Sequence, residues 1–175
     1  QSVAAPLITA ALDARYMSGR KEERVEASKL LEGPDMATIK FDKEQVLADL
    51  QAALYCSKVA SYAPGMSLIK AASDQNEWDV DLCRGAKMWR GGCIIRAALL
   101  GKITAAYQHN VDLPNLMVDP GFAKEINDRH LAWRRVVALG VSAGIATPAL
   151  SAALGYYDQY RRANLPANLI QAQRD

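Results

Sequence analysis

The sequence has few of the residues that build metal sites and disulfide frameworks. It contains two histidines, His109 and His130, and three cysteines among 175 residues. The histidines have no partner at metal-ligand or catalytic-triad spacing, and Cys56, Cys83 and Cys93 share no CxxC-type spacing. An odd number of scattered cysteines favours reduced thiols over a disulfide framework or a zinc site. We therefore predict no metal in this chain.

Phosphate-binding loops and long apolar runs are also missing. The sequence has no G-x-G-x-x-G or Walker-type stretch, so we expect no cofactor to bind this chain. It has no apolar run near the roughly 18 residues of a membrane span, which predicts no membrane partner. The net charge of +2 is too small to indicate nucleic acid as a partner. The stretch RGGC at 90–93 is interpreted as a helix break with close packing rather than an RGG box.

The length and the hydrophobic pattern predict one helical domain. Chains of about 100–200 residues usually form a single domain. Nearly every segment has helical period and none alternates like a strand, so the expected fold class is all-α. We expect helices over 6–31, from 43 onward, over 79–90, 93–108, 120–141 and 148–163, and after 166.

Prolines and capping residues set the expected helix ends. Asp42 and Asp119 are expected N-caps, and Pro120 follows the second of them directly. Thr147 with Pro148 repeats that arrangement. Pro64 is expected to kink or end the second helix, because proline removes a backbone donor and clashes with the preceding turn.

Apolar spacing predicts the buried faces of two helices. The first buried stripe is expected at Val46, Leu50 and Leu54. The second is expected at Ile95, Leu99 and Ile103.

Two segments 142 residues apart resemble each other. VAAPLITAAL at 3–12 and IATPALSAAL at 145–154 align their proline and their closing Ala-Ala-Leu. The residues alone leave two explanations open: duplicated architecture, or the similar look of two alanine-rich helix starts. The period is too long for a solenoid.

Arginine is the side chain in this sequence best suited to a phosphate ligand. Its planar guanidinium donates two parallel charge-assisted hydrogen bonds, which lysine does not match in geometry. The composition does not say which arginine acts. Tyr156, Tyr157 and Tyr160 with the two arginines after them could stack or bind anions, but the edge of a core or an interface is the favoured interpretation.

Four segments resemble the 6-phosphogluconate dehydrogenase family. They are GRKEER, ALYCSKVASYA, MWRGGCIIRAALLGKITAAY and, most specifically, YYDQYRRANLPANLIQAQRD. The resemblance extends over essentially the whole chain and is to the C-terminal, all-helical domain. It implies two related sets of helices, a substrate pocket and most of a homodimer interface. It also implies that Pro6 and Pro148 begin equivalent helices.

The resemblance implies an enzyme that oxidises and decarboxylates 6-phosphogluconate to ribulose 5-phosphate. NADP belongs to an N-terminal Rossmann domain in that family. The family's base lysine and acid glutamate would precede Gln1, and its terminal histidine would follow Asp175. We therefore expect a domain over 1–175 that is truncated at both ends, has no catalytic residue and is inactive alone.

Two phosphate-binding arginines are implied by the same resemblance. Arg15 in DARY matches one of them. Arg174 in QAQRD matches the other, which in the family reaches the active site of the partner subunit. Lys58 lies on the counterpart of the catalytic helix, but no carboxylate follows it where an acid is needed, so we expect a structural or exposed side chain.

The alternative function is a non-catalytic helical dimerisation or interaction module that kept the fold and lost the chemistry. An upstream Rossmann domain in the parent transcript distinguishes the two. We expect a cytoplasmic protein, with the plastid as the alternative if the source is photosynthetic.

Overall fold

The computed structural model describes residues 3–174, and every regular element among them is helical. These residues form α1 (Pro6–Gly19), α2 (Lys21–Ala27), α3 (Lys43–Asn76), α4 (Leu82–Met88), α5 (Leu99–His109), α6 (Pro120–Asn127), α7 (His130–Ser142), α8 (Pro148–Tyr160) and α9 (Ala167–Ala172). Short 3₁₀ turns occur at Met36–Thr38 and Leu116–Val118. No strand occurs in residues 3–174, so the predicted all-α fold is confirmed.

The long helix α3 organises the domain. It contains 34 residues and is capped by Asp42, whose side chain accepts hydrogen bonds from two amides of the first turn, as predicted. The helices α7 and α8 both pack against it. Of the two outcomes predicted for Pro64, a kink or an end of this helix, the end is wrong: the helix continues to Asn76. An interior proline costs about 3 kcal/mol or more. Pro64 is fully buried, as are Ala63 and Met66 beside it in the helix, and this burial of apolar surface offsets the cost.

Small residues form the buried face of α3. Ala53, Cys56, Ala60 and Ala63 have no exposed surface, which lets neighbouring helices approach closely. The predicted stripe is wrong at Leu54, which is 63% exposed. Four-residue steps advance about 40° around a helix of 3.6 residues per turn, so the second step already leaves the buried face.

Two helices that were predicted to be long are each divided in two, and at each break an arginine side chain donates hydrogen bonds to carbonyls of the helix end. The first breaks at Arg20, and the guanidinium of Arg24 then caps the end of α1 by donating to the carbonyls of Met17 and Ser18 at 3.1 and 3.2 Å. The predicted helix over 120–141 breaks after Asn127. There Arg129 donates to the carbonyl of Glu125 at 2.9 Å and so satisfies a helix end.

The segment 93–98 is not helical, contrary to prediction. Gly92 has φ +84°, a left-handed conformation that favours glycine, and α5 begins only at Leu99. Ile95 is therefore 43% exposed instead of sharing the buried face of Leu99 and Ile103, which are 7% and 0% exposed. The adjoining Ile94 is fully exposed.

The two similar segments begin helices that touch. Pro6 is the first residue of α1, Pro148 is the first residue of α8, and the two helices pack against each other. The cap predicted at Asp119 is confirmed by hydrogen bonds from the next helix. Thr147 makes no such bond; its hydroxyl lies 3.3 Å from that of Ser151 instead.

Polar contacts fix how the helices pack. The carboxylate of Asp49 on α3 is 4% exposed and receives two hydrogen bonds from Arg135 of α7, both at 2.7 Å. Asn115 donates from its side-chain nitrogen to the hydroxyl of Tyr156 at 2.8 Å, and both residues are buried. No helix of residues 3–174 is both long and apolar enough to cross a membrane.

The pair of Asn115 and Tyr156 predicts a measurable loss of stability. Tyr156→Phe leaves a buried amide donor without its partner, which should lower the free energy of unfolding by about 1–3 kcal/mol. Tyr160→Phe is the matched control, because Tyr160 is 42% exposed; its change should stay within about 0.5 kcal/mol. Urea denaturation of the purified chain measures both. Equal losses in the two variants would contradict the assignment.

Asp158 predicts how stability depends on pH. Hydrogen bonds, first from Arg134 at 2.8 and 2.5 Å and then from Arg161, lower the pKa of Asp158 to about 2. A carboxylate with a depressed pKa stabilises the fold above its unfolded pKa of about 4 and loses that contribution as the pH falls toward 2. Asp158→Asn should therefore destabilise the chain at pH 6 and much less at pH 2.5. Urea midpoints at both pH values test this, and a difference independent of pH would refute it.

Candidate functional site

Arg15 lies near the end of α1 with an exposed side chain. Its backbone carbonyl accepts a hydrogen bond from the hydroxyl of Ser18 at 2.7 Å. Its guanidinium makes no ion pair with any residue in 3–174, and its neighbour Tyr16 is 64% exposed. The hydrogen bonds from Arg24 hold the backbone at this end of α1. Arg15 is therefore a surface cation on a positioned backbone, without a counterion among residues 3–174.

Arg174 follows α9 and is also exposed. Its backbone amide donates to the carbonyl of Gln171 at 2.9 Å. The helix buries none of its residues, and its apolar side chains Leu169 and Ile170 are 70% and 59% exposed. The end of the chain is therefore an arm with an apolar surface and a terminal cation, without packing partners for that surface in residues 3–174.

Nothing in the described part of one chain joins the two arginines. No hydrogen bond or ion pair links α9 to α1 within residues 3–174. The arm leaves from the end of α8, which is held firmly. There Arg161 donates to Asp158 at 2.8 Å and its guanidinium lies 5.7 Å from the ring centroid of Tyr157. The base of the arm is thus positioned, while its tip points to no contact within the described residues.

The tyrosine cluster belongs to the core edge, as favoured from the sequence. Tyr156 is buried, and Tyr157 lies with its ring 5.9 Å from that of the fully buried Trp133. Tyr160 is the most exposed of the three and lies 6.0 Å from Tyr156 between ring centroids. These rings stabilise α8 rather than form an open stacking surface.

Lys58 is exposed on α3, as expected. It makes no ion pair with residues 3–174, and its carbonyl accepts a hydrogen bond from Ser61 at 2.8 Å. With Tyr62 and Trp89 it lines an apolar cleft of about 360 Å³. Among the described residues, Lys58 therefore has no acidic partner with which it could exchange a proton.

A network centred on Glu125 was not found from the sequence. The hydroxyl of Tyr55 donates to its carboxylate, Lys102 lies 2.5 Å from the same group, and Arg129 stacks 5.0 Å from the Tyr55 ring centroid. Lys102 first, and then Tyr55, lower the pKa of Glu125, while burial raises the pKa of Tyr55. The network therefore holds a charged carboxylate and a neutral phenol at neutral pH. It ties α3, α5 and α6 together across 70 residues of sequence separation, which no local pattern reveals.

Both histidines lie at helix ends. His130 begins α7 with its ring 6.2 Å from Tyr157, and Arg134 lies 3.5 Å from its Nδ1. His109 ends α5. No group of three side chains suited to a metal ion occurs in residues 3–174.

Comparison with known proteins places this fold in a family. The family model "6-phosphogluconate dehydrogenase, C-terminal domain" matches residues 1–175. The rice (Oryza sativa subsp. japonica) protein "6-phosphogluconate dehydrogenase, decarboxylating 1" is 55% identical over 174 residues, 99% of this chain and 36% of its own length. A chloroplastic relative from Arabidopsis thaliana, "6-phosphogluconate dehydrogenase, decarboxylating 3", is 53% identical over 99% of this chain and 37% of its own length.

A solved structure agrees with these relatives. The 6-phosphogluconate dehydrogenase of Plasmodium falciparum superposes with a TM-score of 0.93 at 38% identity, covering 98% of this chain and 37% of that one. That enzyme was determined in its apo form, with its cofactor NADP+ and with its substrate 6-phosphogluconate. The chain spans little more than a third of the length of the relatives it matches. This chain belongs to the 6-phosphogluconate dehydrogenase family and corresponds to the C-terminal, all-helical domain.

Proposed function

We propose that residues 1–175 are the substrate-binding and dimerisation domain of an NADP-dependent, decarboxylating 6-phosphogluconate dehydrogenase. The parent enzyme converts 6-phosphogluconate and NADP to ribulose 5-phosphate, CO2 and NADPH. The observation that carries the proposal is that Arg15 and Arg174 are both exposed and have no ion-pair partner in residues 3–174. They stand at the two positions that the sequence resemblance implies for the substrate phosphate. A phosphate dianion is the ligand that two such guanidinium groups suit best.

Residues 3–174 offer no fit for NADP. Dinucleotides bind where a glycine-rich turn follows a strand and opens a helix, and these residues contain neither a strand nor such a turn. We propose that NADP, the base and the acid belong to the parent enzyme outside this chain. The role left to this domain is to hold the substrate phosphate and so orient the sugar acid for the chemistry.

In a dimer, the partner subunit would cover the apolar surface of the arm. Leu169 and Ile170 have no cover within residues 3–174, and exposed apolar surface next to a functional cation is typical of an interface. A second copy of the chain would receive the arm and bring Arg174 to Arg15 of the partner subunit. This arrangement is supported by the lack of any hydrogen bond or ion pair between α1 and α9 within residues 3–174.

The exposed apolar surface around α1 gives the dimer further support. Ile8 and Leu54 are 49% and 63% exposed, and with Leu150 they line an apolar cleft of about 590 Å³ between α1, α3 and α8. The compartment is proposed to be the cytoplasm. The chloroplastic relatives support the plastid as the alternative.

The two arginines predict matched effects on substrate binding. In the full-length enzyme, Arg15→Ala and Arg174→Ala should each raise the KM for 6-phosphogluconate roughly ten- to hundredfold, because each loses a charge-assisted contact. The KM for NADP should stay nearly unchanged. Arg162→Ala is the matched control: it removes another exposed arginine near the arm and should change neither constant more than about twofold. Steady-state kinetics measure all three.

A mixed dimer tests whether the arm carries Arg174 into the site of the partner subunit. If Arg174 acts in the partner's site, a heterodimer of one Arg15→Ala and one Arg174→Ala subunit has one site with both lesions and one with neither. Heterodimers purified with two affinity tags should then regain about half of the wild-type activity at low substrate. Activity no higher than that of the two parent variants would show that both arginines act within one subunit. A stable monomer in sedimentation would contradict the proposed dimer, whereas a dimer without activity toward 6-phosphogluconate would favour the non-catalytic alternative.

A further inference from the structure

A second group of unneutralised cations lies away from both proposed phosphate arginines. Lys87 on α4, Arg90 just after it and Arg96 before α5 line an open cleft of about 650 Å³. The remaining lining residues are Gly91, Ala97 and Ala98. None of the lining residues is acidic, so the cleft presents positive charge alone.

The three cations have no counterion in the described part of the chain. None of them forms an ion pair with a residue in 3–174, although other arginines of this region do. Arg84, one turn before Lys87 on the same helix, pairs with Asp81 at 3.2 Å. Like charges that share one cleft repel each other, and an anion bound between them would relieve that repulsion.

The backbone adds further donors to the same cleft. Ala97 and Ala98 line the cleft, and their amides donate to no acceptor within residues 3–174. Ala98 is the N-cap of the 11-residue α5, yet it supplies no side-chain cap, and the first turn of α5 has no acidic residue. Unpaired amides at a helix start carry partial positive charge and favour an anion.

The Gly-Gly pair is explained by this geometry and not by close packing. A Cβ on Gly92 would meet nothing within 4 Å, and one on Gly91 would meet only the carbonyl of Met88 at 3.7 Å. RGGC does break the helix, as predicted, but the predicted close packing at its two glycines is wrong. Gly92 is required by its positive φ, and Gly91 lines the cleft without a side chain to fill it.

We propose that this cleft binds a small anion carrying two or more phosphate groups. Three cations exceed what one phosphate of charge near −2 neutralises, and the volume suits a small metabolite. No aromatic side chain lines the cleft, so a nucleobase would find no stacking surface there. The site is separate from Arg15 on α1 and Arg174 after α9, neither of which lines it.

Pyrophosphate is the probe that tests the proposal. Isothermal titration calorimetry on the full-length protein, at constant ionic strength, should detect its binding in an Arg15→Ala background, in which the proposed substrate-phosphate site is weakened. Arg90→Gln and Arg96→Gln should each weaken that binding about tenfold, since each removes one charge-assisted contact. Arg84→Gln is the matched control, because Arg84 lies nearby on α4 but pairs with Asp81 and does not line the cleft, and it should leave pyrophosphate binding unchanged. Circular dichroism and sedimentation show whether each variant keeps its fold and assembly.

Specificity makes the test sharper. Orthophosphate should bind at least tenfold more weakly than pyrophosphate, because the affinity of the cleft depends on the charge of the anion. ADP should bind no more tightly than pyrophosphate, because its base gains no contact in the cleft. The proposal fails if Arg84→Gln weakens binding as much as Arg90→Gln, or if Arg15→Ala abolishes it. It also fails if Arg90→Gln and Arg96→Gln convert a dimer to monomers and wild type binds no pyrophosphate, because the cations would then serve a subunit contact.

Discussion

Close packing on the small-residue face of α3 is the constraint on which the rest of the structure depends. Alanine and cysteine side chains let α7 and α8 approach this helix, and the burial around Pro64 keeps it continuous where proline would otherwise break it. Asp49 specifies how α7 is positioned along α3. Its buried carboxylate, paired with Arg135, is stabilised only when α7 lies at the correct height along α3, and the Arg135 hydrogen bonds keep the pKa of Asp49 low.

The charges of the surface divide into two kinds. Many cations are matched by carboxylates within the chain, as Arg134 is by Asp158 and Lys102 by Glu125. These pairs hold helices in place and depress the pKa of the acids. Arg15, Arg174 and the cations of the cleft beside α5 have no such match among the described residues. An unmatched guanidinium on a fixed backbone is available to a ligand, and this is the physical basis of both proposed sites.

Sequence patterns predicted helices well where the signal is local. Asp42 and Asp119 cap their helices because a carboxylate accepts from amides two and three residues ahead, an interaction set by neighbours alone. The same reasoning failed for Leu54, where four-residue spacing drifts around the helix, and for Ile95, which a left-handed glycine removes from α5. The breaks at Arg20 and after Asn127 depend on where an arginine side chain folds back, which apolar periodicity does not encode.

The sequence by itself determined the all-α class and the family, and its motifs marked two arginines as candidate phosphate ligands. It did so because helical period, capping residues and specific motifs are properties of short stretches of chain. The tertiary structure alone decided which cations are neutralised, since their partners lie up to 86 residues away. It also decided that Arg90 and Gly91 of the RGGC stretch line an open cleft. Whether a charge is free is a property of the space around it, and only the folded chain defines that space.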